Sequence, residues 1–474
     1  MMTAEMFRAC RRNLVRWSRD RRGATAVFVA LTATALIGFT GLGVETGLWY
    51  AIKRYNQSAA DVAALSGAME KAGGNSDICS LAKYAATANG FTSTNSCPNS
   101  CSSPAAGQMC VNNPPLFGGN GTNPAANYVE VILAQQQSTF FSFLSLASAN
   151  VTIDTRAVAG FPNVTSCMLA LSPSGTDLQD NGGGNATNLN IPNCSIISNS
   201  TSTRKPNNSI LLHGNVKINA GAIDTAGNYR ITGNSNSISP PIVAGIQPVA
   251  DPYGTVTMGT PPTGTCTTIN ISSGTATLNP SIPYCSITIS GGTLTVPAGV
   301  YYLVGGPVTC GKNGKNCSGP PGNLTISGGT ITQTGAGGVT FVLTAQTNVS
   351  AAGSVQITGG TGSLTAPTQT GYLTTAAAST GLLIYQDPAT SASSAANTIA
   401  PGGACNASLA LTGAIYTPKT QDGLSGNQTA ACSTCTELIA ASFLFNGDTS
   451  LDTSQCTNFG VKTASVPGKV ALSE

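Results

Sequence analysis

Three stretches of the sequence carry residue types at spacings that could do chemistry, and the first is a glycine-rich loop. GPVTCGKN, residues 306–313, nearly matches the phosphate-binding pattern G-x-x-x-x-G-K-[ST]. Asn313 stands where that pattern needs a hydroxyl to ligate magnesium, and no helix is predicted after it. Cys310 and Cys317 bracket the stretch. We therefore predict a surface loop closed by a disulfide, and no cofactor.

The second stretch is CSTC, residues 432–435. A redox pair requires a thiolate that is stabilised at the start of a helix in a βαβ setting, whereas loop and strand patterns flank this stretch. We predict that Cys432 and Cys435 form a structural disulfide, or two disulfides with different partners. C-x-x-C occurs once and His213 is the only histidine, so the sequence predicts no metal site.

The third group consists of carboxylates, which a polysaccharide lyase or hydrolase would need on one face. The acidic residues between positions 161 and 440 are scattered: Asp177, Asp180, Asp224, Asp251, Asp387, Asp422 and Glu437. Asp177 and Asp180 are the closest pair, and we predict a solvated loop for them. His213 follows two leucines in a repeated unit, where a turn or stacking position is expected. The sequence therefore predicts no catalytic residues and no enzyme, with an envelope-anchored polysaccharide-active enzyme as the alternative.

Tyr301 and Tyr302 raise a binding hypothesis. They are neighbours on a predicted strand, so one side chain is expected to point outward. An exposed tyrosine could stack on a sugar, or it could cover the edge of the strand. Surface glycans are therefore one class of partner that the sequence allows.

The chain is poor in charge. Charged residues make up 8% of its 474 residues, against about 25% in an ordinary soluble domain. Disordered chains usually carry a high net charge, and this chain carries +3. We therefore predict a folded protein that does not bind nucleic acid. The positive charge is concentrated at the start, where seven arginines and two acidic residues precede Gly23.

An apolar run follows this basic tail, residues 1–23. ATAVFVALTATALIGFTGLGV, residues 24–44, contains no charge and as a helix would be about 30 Å long, enough to cross a bilayer. Arginines before such a span keep that end in the cytoplasm. A cleaved secretory signal is the alternative, but its apolar core is shorter, about 7–15 residues. We predict an uncleaved signal-anchor: one transmembrane helix in the inner membrane, with the N-terminus cytoplasmic and the bulk periplasmic.

Cysteine usage agrees with this orientation. Cys10 precedes the apolar run, and the other cysteines of the 15 follow it. An even number of external cysteines is typical of disulfides formed in an oxidising compartment.

Residues 45–160 are predicted to form a small, membrane-proximal, pilin-like α+β domain. Trp49, Ile52, Tyr55 and Ala59 recur at helical spacing, and Gly73 ends that pattern. The other predicted elements are a helix at 76–91 capped by Ser76, a cysteine-rich loop, a strand at 127–136, a helix at 138–148 and a strand at 150–160.

The segment RDRRGATAVFVALTATALIGFTGLGVETGLWYAIKRYNQSAADVAALSGAM resembles the N-terminal segment of the Flp pilus-assembly TadG-like family. Asn56 departs from the leucine that the family has there, and Glu45 from its common aspartate. Pilin-like subunits carry glutamate five positions into the mature chain, where Phe28 stands here when counted from Gly23. The resemblance rests on Arg21, Arg22, Gly23, Glu45, Gln57, Ala59, Ala60, Asp61, Ala63, Ala64 and Leu65.

This resemblance implies an anchored structural or assembly component of a Flp (Tad) type pilus or related secretion system, with pilus-assembly proteins in the membrane as partners. It implies an anchored component more than a polymerising pilin. Asp61 lies among small residues, where another helix could approach closely. We therefore predict assembly contacts at Glu45, Gln57, Asp61 and Leu65, with a solvated helix face as the alternative.

Residues 161–474 are predicted to be mainly β, with short strands separated by glycine-rich turns. TISGGTLTV at 288–296 returns as TISGGTITQ at 325–333, a spacing that we assign to about two coils. Such repetition predicts a β-solenoid, most simply a right-handed parallel β-helix with disulfide loops. A β-sandwich is the alternative fold. Some TadG-like proteins carry a similar glycine-rich external part, and an adhesin with the same fold is a further alternative function.

Overall fold

The apolar run and the residues after it form one continuous helix, α1 (Arg22–Ala72). The computed structural model describes residues 22–95, 101–116, 125–140, 149–180, 187–233, 236–306, 319–345, 352–368, 380–391, 395–400, 408–427 and 432–473. The chain divides into two units, Met1–Phe161 with Val470–Glu474, and Pro162–Lys469.

The first part of α1 has almost no protein around it. Phe28 is 68% exposed and Phe39 is 75% exposed, and the large apolar side chains between them are similarly uncovered. Among the described residues, α1 is the only helix that is long and apolar enough to cross a membrane. The prediction of a candidate membrane-spanning helix near the start of the chain is therefore confirmed by its length and composition.

The rest of the first unit is an antiparallel sheet with two helices. Its strands pair in the order β1, β2, β3, β25. Gly74 follows α1 with φ +79°, a left-handed conformation that favours glycine and ends the helix. The elements after α1 are α2 (Ile78–Ala88), β1 (Gln108–Asn112), β2 (Tyr128–Ser138), β3 (Asn150–Gly160) and β25 (Ala471–Leu472).

Three details of this unit differ from the sequence prediction or fall outside the described residues. Asp77, not Ser76, caps α2, because its carboxylate accepts a hydrogen bond from the Ser80 amide at 3.3 Å. β1 lies within the predicted cysteine-rich loop; its five residues are too few for a visible alternating pattern, but four of them are buried. The predicted helix at 138–148 lies largely outside the described residues, and Ser138 ends β2.

The second unit is built from short, mostly parallel strands. In chain order they are β4 (Asn163–Ala170), β5 (Leu178–Asp180), β6 (Thr187–Ser198), β7 (Ile210–His213), β8 (Val216–Thr225), β9 (Tyr229–Thr232), β10 (Ser237–Ser239), β11 (Val243–Ala244), β12 (Thr267–Ile271), β13 (Thr275–Thr277), β14 (Tyr284–Ile289), β15 (Thr293–Leu303), β16 (Leu324–Ile326), β17 (Thr330–Leu343), β18 (Val355–Ile357), β19 (Thr361–Thr365), β20 (Leu382–Gln386), β21 (Asn397–Ile399), β22 (Leu409–Asn427), β23 (Thr436–Ser450) and β24 (Ser465–Pro467).

These strands stack in three rows. The first row is β12, β14, β16, β18, β21, β22, β23, β5, β7 and β9. The second contains β13, β15, β17, β19 and β22 at one end, and β23, β6, β8 and β10 at the other. The third is β15, β17, β20, β22, β23, β4, β6, β8 and β11, so the longer strands belong to more than one row.

The order of strands in space is not their order in the chain. The chain enters the middle of the stack at β4, runs to the end formed by β9, β10 and β11 (the β9 end), and continues at the opposite end with β12 and β13 (the β12 end). It then returns strand by strand to β23, which pairs in parallel with β4. β23, the last long strand, therefore joins the two halves of the stack at its middle.

The repeated sequence unit marks one turn of this stack. Thr288 pairs with Thr325 and Thr293 with Thr330, so the two TISGGT copies lie on adjacent strands. The expectation that 37 residues span two coils is wrong, because a long connection lies between β15 and β16 and the strands themselves are neighbours. The pairing in the three rows is parallel, whereas a β-sandwich consists of antiparallel sheets.

Residues 245–266, which we call the strap, connect the two ends of the stack. The third row contains nine strand segments, a distance of roughly 38 Å at the usual strand spacing. The outward side chains of that row, including Leu169, Ile197 and Ile439, are buried in one apolar cluster with Tyr253 and Val256 of the strap. The strap cluster also buries Tyr302, and Tyr301 faces the inner core. The prediction that one of these tyrosines points into solvent is therefore wrong.

Polar contacts fix the strap at several points. The Asn199 side chain donates to the Val249 carbonyl and accepts from the Val249 amide, both at 2.8 Å. The Tyr385 hydroxyl donates to the Val256 carbonyl at 2.7 Å, and the Tyr416 hydroxyl donates to Asp251 at 2.9 Å. Buried backbone groups of this irregular segment are thereby paired, as burial requires.

We predict that Asn199→Ala loosens the strap locally. Loss of both hydrogen bonds leaves the Val249 amide without its partner, which costs about 1–3 kcal/mol. Hydrogen exchange at Val249 should accelerate about tenfold or more, measured by mass spectrometry on strap peptides. Asn219→Ala is the matched control, since Asn219 bonds to Asn190 instead of the strap. Equal exchange in both variants would contradict the assignment.

Candidate functional site

The alanine-rich part of α1, which sequence analysis singled out, forms the core of the first unit. Ala59, Ala60, Ala63, Ala64 and Ala68 are fully buried. They pack with residues of α2, β2 and β3, including Ala82, Val129 and Ala157. Small side chains allow a helix to approach its neighbours closely. The small residues at this spacing are therefore occupied by a contact within the chain.

Gln57 and Asp61 are brought together on this helix. The Gln57 amide donates to the Asp61 carboxylate at 2.8 Å and to the Arg156 carbonyl of β3 at 2.7 Å. Both side chains are half-buried, and so is Leu65, which packs against the alanine core. The helix face that the alternative interpretation left to solvent is thus partly covered, and the predicted role of these three residues in assembly stays a prediction.

Glu45 lies further along α1, towards the apolar run. It is 3% exposed, and its carboxylate accepts a hydrogen bond from the Phe140 amide at 2.8 Å. A carboxylate at the boundary of an apolar helix thereby binds the backbone that follows β2. This intrachain contact accounts for the acidic residue in structural terms, and an assembly contact at Glu45 also stays a prediction.

A buried charged group that sequence reasoning missed lies within the sheet of the first unit. Glu130 of β2 is fully buried and forms an ion pair with Arg156 of β3 at 2.5 Å. Its other oxygen accepts from the Asn112 side chain and the Leu116 amide, each at 2.9 Å. The signal was a glutamate inside the apolar strand YVEVILA, because a buried carboxylate must be paired.

Disulfides cross-link segments within both units. Cys101 is bonded to Cys110 in the first unit, and the second unit contains the pairs Cys167–Cys194, Cys266–Cys285 and Cys435–Cys456. Cys432 is also disulfide-bonded, so CSTC belongs to two separate disulfides and not to one redox pair. Cys310 and Cys317 lie outside the described residues, as does most of the GPVTCGKN stretch.

The carboxylates relevant to the enzyme hypothesis are buried, contrary to the predicted solvated loop. Asp177 is fully buried, and its Oδ2 accepts from the Ser198 hydroxyl and the Ser200 amide, both at 3.0 Å. Asp180 accepts from the His213 amide at 2.5 Å, and the His213 ring nitrogen lies 3.4 Å away. Asp180 shares the buried face of β5 with Leu178. Asp177 directly precedes the strand and is covered where it meets Ser198 and Ser200.

Four carboxyl groups of the second unit have raised pKa values. Burial raises the pKa of Asp177, Asp224 and Asp422 to about 7 and that of Glu437 to about 8. Asp422 accepts from Asn397 and Thr417, and Glu437 accepts from the Ser166 hydroxyl of β4. Each of the four leaves one oxygen without a partner, which favours the protonated form.

Three of these groups, Asp177, Asp422 and Glu437, form hydrogen bonds that link separate strands, which suits a structural role more than chemistry on a substrate. Glu437 on β23 and Ser166 on β4 join strands 271 positions apart. Asp422 joins β22 to Asn397 of β21. Among the described residues, no three histidine, cysteine or acidic side chains are grouped so as to hold a metal ion.

Comparison with known proteins places the first part of the chain. Residues 23–70 match the model of the Tad family (Flp pilus-assembly TadE/G-like), which confirms the resemblance of the N-terminal segment. The match covers α1 from just after its first residue to just before its end. Searches of curated proteins and of solved structures gave no match.

We predict that Gly67→Leu destabilises the first unit by about 1–3 kcal/mol. A Cβ at position 67 would lie 3.0 Å from Val129 and 3.1 Å from Ile78, so a larger side chain must push α2 and β2 away from α1. Limited proteolysis and thermal unfolding of the purified protein measure the effect. Met69→Leu, at a position 58% exposed on the same helix, is the control and should change little.

We predict that the second unit loses stability as pH rises. Folding raises the pKa of Asp422 from 3.8 to about 7 and that of Glu437 from 4.5 to about 8. At a pH between the lower and the higher value of each group, the folded chain holds a proton that the unfolded chain has released. The free energy of unfolding should therefore be greatest near pH 4–5 and fall until about pH 8, by at least about 1 kcal/mol for each group.

Thermal unfolding between pH 5 and 8 tests this dependence. Asp422→Asn and Glu437→Gln should flatten the curve, because the substituted amide cannot ionise. Asp448→Asn, a half-buried position on β23, is the control and should retain the slope. Asp177 and Asp224 still contribute a slope of the same sign in the double variant. A slope as steep in the double variant as in the unsubstituted chain would therefore contradict the prediction.

Proposed function

We propose that this chain is a membrane-anchored structural component of a Flp (Tad) type pilus or a related secretion system, without catalytic activity of its own. The observation that carries the proposal is the family match over residues 23–70, which coincides with α1. One half of that helix is apolar and uncovered, and the other half is the core of a folded unit. A helix of this kind ties a folded unit directly to a bilayer.

In this proposal α1 spans the inner membrane once. The arginine-rich tail stays in the cytoplasm, since arginines flanking a span are retained there. Trp49, Tyr50 and Tyr55 follow the apolar stretch, where aromatic residues favour the membrane–water interface. The disulfides after the span are consistent with an oxidising, periplasmic location for the bulk of the chain.

The external unit in this proposal is a right-handed parallel β-helix that is presented outward. Its support is the parallel pairing of successive strands in three rows. The proposed role is display and docking, because three buried carboxylates bind hydroxyl and amide groups of other strands in the same unit. Surface glycans remain a proposed second class of partner for this unit.

We predict that photo-crosslinking from exposed positions of α1 captures pilus-assembly proteins. A photoreactive residue at Tyr50 or Met69 replaces a side chain that is 64% or 58% exposed, so the fold should tolerate it. The same residue at Asn219 on β8 is the control for capture by the external unit. Mass spectrometry of the products identifies the partners. Capture of no pilus-assembly protein from either α1 position would contradict the proposed function.

A further inference from the structure

The two ends of the three-row stack are open. β9, β10 and β11 pair on one side only, and so do β12 and β13 at the other end, within the described part of the chain. We propose that copies of this chain associate head to tail, with the β9 end of one copy stacked on the β12 end of the next. The inference concerns the unit Pro162–Lys469 and does not rest on the proposed role in pilus assembly.

The core of the stack is uncovered at the β9 end. Tyr229 and Ile231 of β9 are in register with Ile210 and Leu212 of β7. The two β7 side chains are 1% and 0% exposed, whereas Tyr229 is 39% exposed and Ile231 38%. These β9 residues stand in core positions of a strand that has no further strand on it. A following strand would remove this apolar surface from water, which is favourable.

The β12 end has the same character. Ile269 of β12 is in register with the buried Ile287 of β14, and Ala276 of β13 is in register with the buried Leu294 of β15. Ile269 and Ala276 themselves are only partly buried. The apolar core therefore extends to both ends of the stack.

The two ends are complementary. β9 and β12 are the two terminal strands of the same row, in which all pairs are parallel, so their free edges are opposite edges of one ladder. Proteins commonly guard free edges with charged side chains, above all lysine. Arg230 is the only charged residue in the five end strands, and the β12 end has none.

The chain already contains one contact of the proposed kind. β23 docks on β4 by parallel pairing of Leu438 with Met168, Ile439 with Leu169 and Ala440 with Ala170, although no short connection joins them. For the free edge of β9, the matching partner is the free edge of β12 in another copy, which lies beside the same second row of strands. A head-to-tail contact of this type does not close on itself and produces a linear assembly.

The experiment uses the full chain in nanodiscs or mild detergent and two blocking variants. Ile231→Lys blocks the β9 end and Ala276→Lys blocks the β12 end, because a lysine in a core position would have to be buried without a partner. Sedimentation velocity over a range of concentrations should show wild-type assemblies beyond dimers. Either variant alone should associate more than about tenfold more weakly, and an equimolar mixture of the two should form dimers that grow no further.

Three results would overturn the proposal. They are a wild-type chain that stays monomeric at all concentrations, a single variant that still assembles through like ends or through α1, and a mixture that forms no dimer. Thr332→Lys, an exposed outward position of β17, is the control and should assemble like wild type. Tyr229→Lys and Ile269→Lys repeat the test at the same two ends, and circular dichroism verifies the fold of each variant.

Discussion

The second unit depends on the contact between β23 and β4. Residues near the start and near the end of that unit's sequence meet there in parallel register, and Glu437 is buried beside Ser166 at the same junction. The pairing of β23 with β5 and β6 accompanies this contact, and without the three pairings the stack would be two separate blocks, each with one more apolar edge exposed to water. The strap reinforces the joint from outside, since its apolar residues lie over the row that contains both strands. The parallel pairing of β23 with β4, which are distant in the chain, therefore fixes the order in which the other strands stack.

In the first unit, the two halves of one helix, α1, lie in different environments. Its apolar half lacks protein contacts, and its alanine-rich half is covered by α2 and the sheet. The helix and the strands predicted at 127–136 and 150–160 agree closely with the structure, because their periodicity is strong and local. The small residues of the helix were predicted to contact another protein, since spacing alone does not distinguish a partner helix from the chain's own sheet.

The candidate residues show the same limit of local reasoning. Gln57 and Asp61 could be paired from their four-residue spacing, but the third member, the Arg156 carbonyl, lies 99 positions away in the chain. Asp177 and Asp180 follow a proline–serine–glycine turn and resemble a solvated loop, yet neighbouring strands bury them. Parallel strands were predictable from the TISGGT repeat, whereas the permuted order of the strands, in which β12 to β23 come before β4 to β9 in space, was not, because nothing local in the sequence marks which strand meets β4.

The permuted order of the strands has a consequence for synthesis. A chain that emerges from its N-terminus delivers β4 to β11 first, and the edge of β4 then has no strand to pair with until β23 arrives. The strap is in place before the strands from β12 onward, so it can act as a template along which they are added back towards β4. Such long-range closure is slow by nature and leaves an adhesive edge in the unfinished chain. The unfinished chain therefore exposes this edge during synthesis, and the arrival of β22 and β23 completes the stack.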